Sequence, residues 1–229
     1  MVISDSYKYI YVELYFTGTT SIRNELIELY QGKAILKKHA KYHTFLQTAS
    51  KDQKNYFVFS GIRNPMDMVV SEYLKLKNDP YERFKKEGSS DHKKAKIYKK
   101  INTENLSFQQ YFKENYKLPY DNWSSLSHSK FDYIIKFENI QNDFREVLER
   151  LNIPQKRPLP VRNKTKEKEH FLNYYTPEIR EKAIFIFGPF MKKWGYSFPA
   201  EWNVKKVSWL SELLFNALKI VRNVYWKFR

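Results

Sequence analysis

The stretch from Tyr7 to Ser21 constrains the fold of this chain more than any other. Tyr7-Lys8-Tyr9-Ile10-Tyr11-Val12-Glu13-Leu14 is rich in β-formers and alternates sides, with Ile10, Val12 and Leu14 apolar on one face. It empties into Thr17-Gly18-Thr19-Thr20-Ser21, and a helix follows in which Ile22, Leu26, Leu29 and Tyr30 share a face. A strand feeding a small, hydroxyl-rich turn that opens a helix gathers unpaired N–H groups, hydroxyl donors and the positive end of a helix dipole at one point. Such a point attracts phosphate. The same Thr/Ser cluster also serves as an ordinary helix cap. Neither the Gly-Lys-Ser/Thr of nucleoside triphosphate loops nor the dinucleotide glycine pattern occurs.

The rest of the chain repeats the strand-then-helix theme. Ala34-Ile35-Leu36 reads as a short strand ending in Lys37-Lys38-His39-Ala40-Lys41-Tyr42-His43. Tyr56 to Ile62 reads as a buried strand, followed by Asn64 as N-cap, Pro65 at the first helical position and Asp67 in the first turn. Arg63 stands at that junction and Ser71 two turns into the helix, a spacing that lets both reach one anion; a planar guanidinium suits phosphate. Phe131 to Phe137 reads as another strand, with Phe144, Val147, Leu148 and Leu151 on the helix after it. The pattern predicts an α/β domain with a central parallel sheet flanked by helices. Its expected extent is 1–199, with a Lys-rich insert over 78–105 and a basic amphipathic tail over 200–229. Gly32 is expected to stop the first helix, Pro154 to Pro160 to form a stiff, extended linker, and Gly188-Pro189 to break or kink the helix that starts at Pro177.

With 229 residues the chain has room for one such domain, and its net charge of +16 calls for an anionic partner: a nucleotide, an acidic glycan, a nucleic acid or a membrane surface. There is no Cys, which excludes disulfides and thiolate chemistry, and the five His lack metal-ligand spacing, so no metal is expected. No leader-like or bilayer-spanning run is read, giving a cytoplasmic expectation. In the tail, Leu210, Leu213, Leu214, Ala217, Val221, Val224 and Tyr225 share a side, among Lys205, Lys206, Lys219, Arg222, Lys227 and Arg229. That suits either an in-plane membrane helix over 207–229, on the inner face of a membrane, or a helix docked on its own domain or on a twin.

Together these pieces resemble the sulfotransferases that use 3′-phosphoadenosine-5′-phosphosulfate (PAPS), in the broad group acting on carbohydrates, up to about Pro199. Thr17-Gly18-Thr19-Thr20-Ser21 is similar to the loop binding the 5′-phosphosulfate. Arg63-Asn64-Pro65 with Ser71 is similar to the 3′-phosphate site. Phe137-Glu138-Asn139 with Asp143-Phe144, and Tyr174-Tyr175-Thr176 with Trp194-Gly195-Tyr196, are similar to recurrent segments of the family. The resemblance implies a P-loop-like sulfotransferase fold and PAPS as donor, with PAP as product. It also implies a glycan or glycolipid acceptor rather than a nucleic acid, and a homo-oligomer remains open. Lys164 and Thr165 would cover the nucleotide, and His39 would accept the acceptor's proton, with His43 and Glu13 as alternatives. The chain departs from the family at Phe16, where a Lys or Arg usually precedes the Thr/Ser-Gly and stabilises charge on the leaving nucleotide. Lys38 and Arg23 are the cations to stand in. Without one, the readings are slow chemistry or a binding-only relative; separate rivals are a P-loop-type nucleotide kinase or NTPase, against which the missing P-loop Lys argues, and a basic nucleic-acid or membrane-surface module that binds through the +16.

Overall fold

Tyr9, Ile10, Tyr11 and Val12 are all fully buried, which a strand achieves when both faces of its sheet are covered. In the computed structural model, which describes residues 1–80, 82–84, 92–128, 130–161 and 169–227, the strands are β1 (Val2–Ser4), β2 (Tyr9–Val12), β3 (Lys33–Ala34), β4 (Phe57–Ile62) and β5 (Tyr133–Lys136). They form one sheet in the order β3-β1-β2-β4-β5. The β2–β4 and β4–β5 pairs are parallel, with Tyr11 opposite Phe59 and Ser60 opposite Ile134. The expected parallel centre is therefore present. The sequence reading missed β1, which lies antiparallel to both β2 and β3. Because β1 alone is reversed, β3 points the same way as β2, β4 and β5, and the carboxyl ends of these four share one edge.

The chain divides into two compact units. The first comprises 1–63, 121–164 and 218–229 and holds the sheet. On one face Tyr9, Tyr11 and Phe59 pack with Ile22 and Leu26 of α1 (Thr19–Leu29) and Phe144, Val147 and Leu148 of α7 (Ile140–Arg150). On the other, Ile10, Val12 and Val58 pack with Tyr42 and Phe45 of α2 (Tyr42–Leu46), which the short α6 (Ser124–Ser127) adjoins. The tyrosines of β2 thus build a second core rather than a wet face, and the Tyr9 hydroxyl donates to the Tyr30 carbonyl at 2.8 Å. α1 stops at Leu29, and Gln31, not Gly32, takes the left-handed conformation (φ 52°). Gly32 is needed for space, because a Cβ there would come within 2.7 Å of Val2 Cγ1. Residues 154–160 are a strap rather than a linker. Leu159 is buried, its main chain is bracketed by the Gln141 amide at 2.7 and 3.0 Å, and Arg157 forks onto buried Glu25 at 2.8 Å.

The second unit comprises 64–120 and 165–217. It contains α3 (Pro65–Asn78), α4 (His92–Thr103), α5 (Phe108–Asn115) and α8 (Pro177–Trp194). Its core is aromatic: Phe108, Phe112, Tyr175 and Phe187 meet with ring centroids 5.1–6.1 Å apart. In the expected insert, α4 packs on α3 and buries Ile101; Lys85-Lys86 and Gly88-Ser89-Ser90 lie outside the described residues. Of the expected break or kink, the break does not occur: α8 is continuous through Gly188-Pro189. Pro189 cannot donate to the Phe185 carbonyl, and Ser211 of α9 (Trp209–Lys227) supplies that hydrogen bond instead, at 2.5 Å. Gly188 leaves the space that Val207 fills.

Candidate functional site

The turn leaving β2 is fixed by its main chain. Phe16 (φ 63°) and Gly18 (φ 73°) both adopt the left-handed conformation, ordinary for glycine and costly for phenylalanine. The Thr17 and Thr19 hydroxyls lie 3.2 Å apart and both donate to the Leu14 carbonyl, at 2.9 and 2.5 Å. Expected as donors toward a ligand, these two hydroxyls are instead turned under the turn and buried. The main chain of α1's first turn is what remains on offer. Gly18 is the N-cap and has no side chain to cap with, and the Gly18 carbonyl accepts from Ser21 N and Ile22 N at 3.0 and 3.2 Å. The Thr19 and Thr20 amides precede the first intrahelical acceptor. Gly61 lets the turn sit tightly on β4, since a Cβ there would stand 3.1 Å from Thr17 Oγ1.

Arg63, one residue past β4, faces this turn. Its Nη1 donates to the Phe16 carbonyl at 3.3 Å, and its guanidinium lies 4.1 Å above the Phe137 ring. Phe137 also closes over Gly18, whose added Cβ would run into Ile140 Cδ1 and approach Phe137 Cδ2. Asp143 sets this arrangement by accepting from Lys136 N and Asn139 Nδ2, each at 2.6 Å. The sequence places Phe137 at a strand end and in a recurrent family segment, neither of which carries its seat between Arg63 and Gly18.

The loop after β3 brings a second set of groups to the same edge. Lys38 Nζ donates to Thr20 Oγ1 at 3.3 Å. His39 is left-handed (φ 64°), and its ring is stacked on Tyr15 with centroids 3.7 Å apart and planes 25° apart. Its Nδ1 is buried with no hydrogen-bond partner. Burial, then the Lys38 charge, push the imidazole from 6.5 down to about 4, against an upward pull from Glu13. His39 is therefore neutral throughout the physiological range, not poised at cellular pH as its free pKa suggests.

The family model described as the Sulfotransferase family matches residues 1–188. The chain belongs to the sulfotransferase family. Its reaction class is accordingly sulfonate transfer. No curated protein and no solved structure matches the chain significantly.

Of the two cations suggested to stand in for the one this sulfotransferase lacks at position 16, only Lys38 is seen to contact the turn. Arg23 Nη1 is spent on Glu13 at 2.8 Å. Glu13 is fully buried in that pair, out of reach as a base for a bulky acceptor. His43 is half-buried in α2. Ser71 belongs to the second unit, fully buried within α3, and Lys164 and Thr165 lie outside the described residues. The sequence reading also missed Tyr15 and the setting of Lys41. Lys41 is nearly fully buried, with Nζ over the rings of Trp226 and, at 4.4 Å, Trp123.

Proposed function

We propose that this sulfotransferase moves a sulfonate group from PAPS to a hydroxyl of a glycan or glycolipid, leaving PAP. The observation that carries the reading is the Arg63 guanidinium held 3.3 Å from the Phe16 carbonyl, beside a helix N-terminus that has no side-chain cap. Two anion-binding devices thus stand together at the end of adjacent parallel strands, which suits a donor anionic at two points.

The roles follow from where each group stands and from the family resemblance. The Thr19 and Thr20 amides, with Gly18 permitting close approach and Ser21 beside them, receive the 5′-phosphosulfate; Thr17 braces the turn from below. Arg63 holds the 3′-phosphate; the family resemblance adds Ser71 to that role and Lys164 and Thr165 as a cover for the nucleotide. PAPS, when bound, supplies the activated sulfonate. Lys38, already drawn to Thr20, neutralises charge where the family's loop cation would stand. His39, neutral and half-buried at the same sheet edge as the turn, takes the acceptor hydroxyl's proton. The exposed rings of Tyr15 and Trp123 offer apolar faces on which a sugar can lie.

Titration calorimetry with PAP tests the nucleotide reading. Arg63→Ala is expected to weaken PAP roughly 10- to 100-fold, the worth of a hydrogen bond to a charged group; equal affinity in both proteins overturns it. Transfer of radiolabelled sulfonate from PAPS across a glycan panel tests the reaction. PAP binding without transfer to any acceptor favours the second reading, a catalytically impaired relative, which rests on Phe16.

A further inference from the structure

α9 carries two working faces. On the first, Ser211 donates to the Phe185 carbonyl, Phe215 is buried, and Arg222 Nη1 reaches buried Asp121 at 3.3 Å. On the second, Trp209, Leu210, Leu213, Ile220, Val221 and Val224 fill an arc of about 120° at the helical repeat. Every one of them is solvent-exposed, from 43% for Leu210 to 75% for Trp209. An uncovered apolar stripe that runs the length of a helix marks an interaction surface.

The charges around the stripe say what it meets. From position 202 onward the chain has Lys205, Lys206, Lys219, Arg222, Lys227 and Arg229 against a single acid, Glu212; Glu212 is paired with Lys192 at 2.6 Å and Arg222 with Asp121, so the positive excess rests on the four lysines and Arg229. The whole chain carries +16. A second copy docking on this stripe would bring two cationic segments together, whereas an anionic lipid surface complements them. Among the described residues no helix is long and apolar enough to cross a membrane, and α9 places Lys219 and Arg222 in its middle turns. We infer that α9 lies in the plane of an anionic bilayer, its Trp209–Val224 stripe sunk among the acyl chains and its neighbouring lysines at the headgroups. This inference is independent of the nucleotide site.

Flotation of the full chain with vesicles tests it. Binding is expected to phosphatidylcholine vesicles containing phosphatidylglycerol and to be weaker on pure phosphatidylcholine or at high salt. Leu213→Asn with Ile220→Asn should reduce it by about tenfold or more. Both side chains are exposed, so far-ultraviolet dichroism and the melting temperature should stay unchanged. No flotation, or flotation equal on both lipids and untouched by the double substitution, overturns the inference. So does a dimer in sedimentation velocity that the double substitution abolishes, if vesicles are not bound; that result assigns the stripe to a second copy.

Discussion

Two connections leave the same edge of the sheet, one after β2 and one after β3, and they are built by different means. The turn at 15–18 is set chiefly by backbone conformation, two left-handed residues with a glycine against Phe137 and Ile140, and the Thr17 and Thr19 hydroxyls pin it to the Leu14 carbonyl from below. The loop at 37–41 is held by side chains, with His39 stacked on Tyr15, Lys38 reaching Thr20 and Lys41 between two tryptophans. Backbone-built sites suit a ligand group of fixed geometry, because the donors cannot drift. Side-chain-built sites suit proton and charge movement, because pKa and reach can be tuned. Under the function proposed above, the difference maps onto holding the donor and performing the transfer.

The sharpest way to break this contrast is Gly18→Ala. The left-handed conformation costs an alanine about 1–2 kcal/mol, and forcing Cβ against Ile140 adds about 1–3 kcal/mol. Urea denaturation should show a loss of that combined order, and PAP affinity should fall with it. A variant as stable as the wild type would mean that the turn is not backbone-locked. Next in size is Lys38→Met. Lys38 is exposed, so stability should move by less than about 0.5 kcal/mol. The transfer rate should drop roughly 100-fold or more, the range for removing one charge-stabilising donor, with PAP binding changed much less. A loss that appears only as a raised KM, with kcat unchanged, would remove Lys38 from the chemistry.

Much of this was legible in the sequence, and what was missed has physical reasons. The strand–turn–helix at 7–29 and the Asn64-Pro65 helix start are local: period, cap and proline chemistry act within a few residues, and Asn64 does accept from Met66 N at 3.0 Å. Strand β1 was missed because three residues carry too little pattern. The 154–160 strap was missed because its hold depends on Gln141, Glu25 and Glu28, which are distant in sequence. Continuity through Pro189 required Ser211, more than twenty residues later, to take the freed carbonyl. In the site, Arg63 could be placed near the turn from its position after a strand, but Phe137 beneath it and Tyr15 on His39 are tertiary contacts without a local signature.

The smallest expected effect tests the side-chain half of the contrast through pH. The His39 imidazole is held at about 4 rather than 6.5, first by burial and then by Lys38. Its neutral, proton-accepting form therefore persists as pH falls from neutrality to about 4, and the acid limb of kcat/KM should lie there. Tyr15→Ala uncovers one face of the ring, restores water and should move that limb toward 6.5. Stability carries the same sign. The unfolded chain takes up this proton below about 6.5 while the folded chain resists until about 4, so stability declines across that interval as pH falls. His39→Gln should flatten that part of the decline. A wild-type limb near 6.5 that Tyr15→Ala leaves in place would show that stacking does not tune His39. The loop after β3 would then be no more adjustable than the turn after β2.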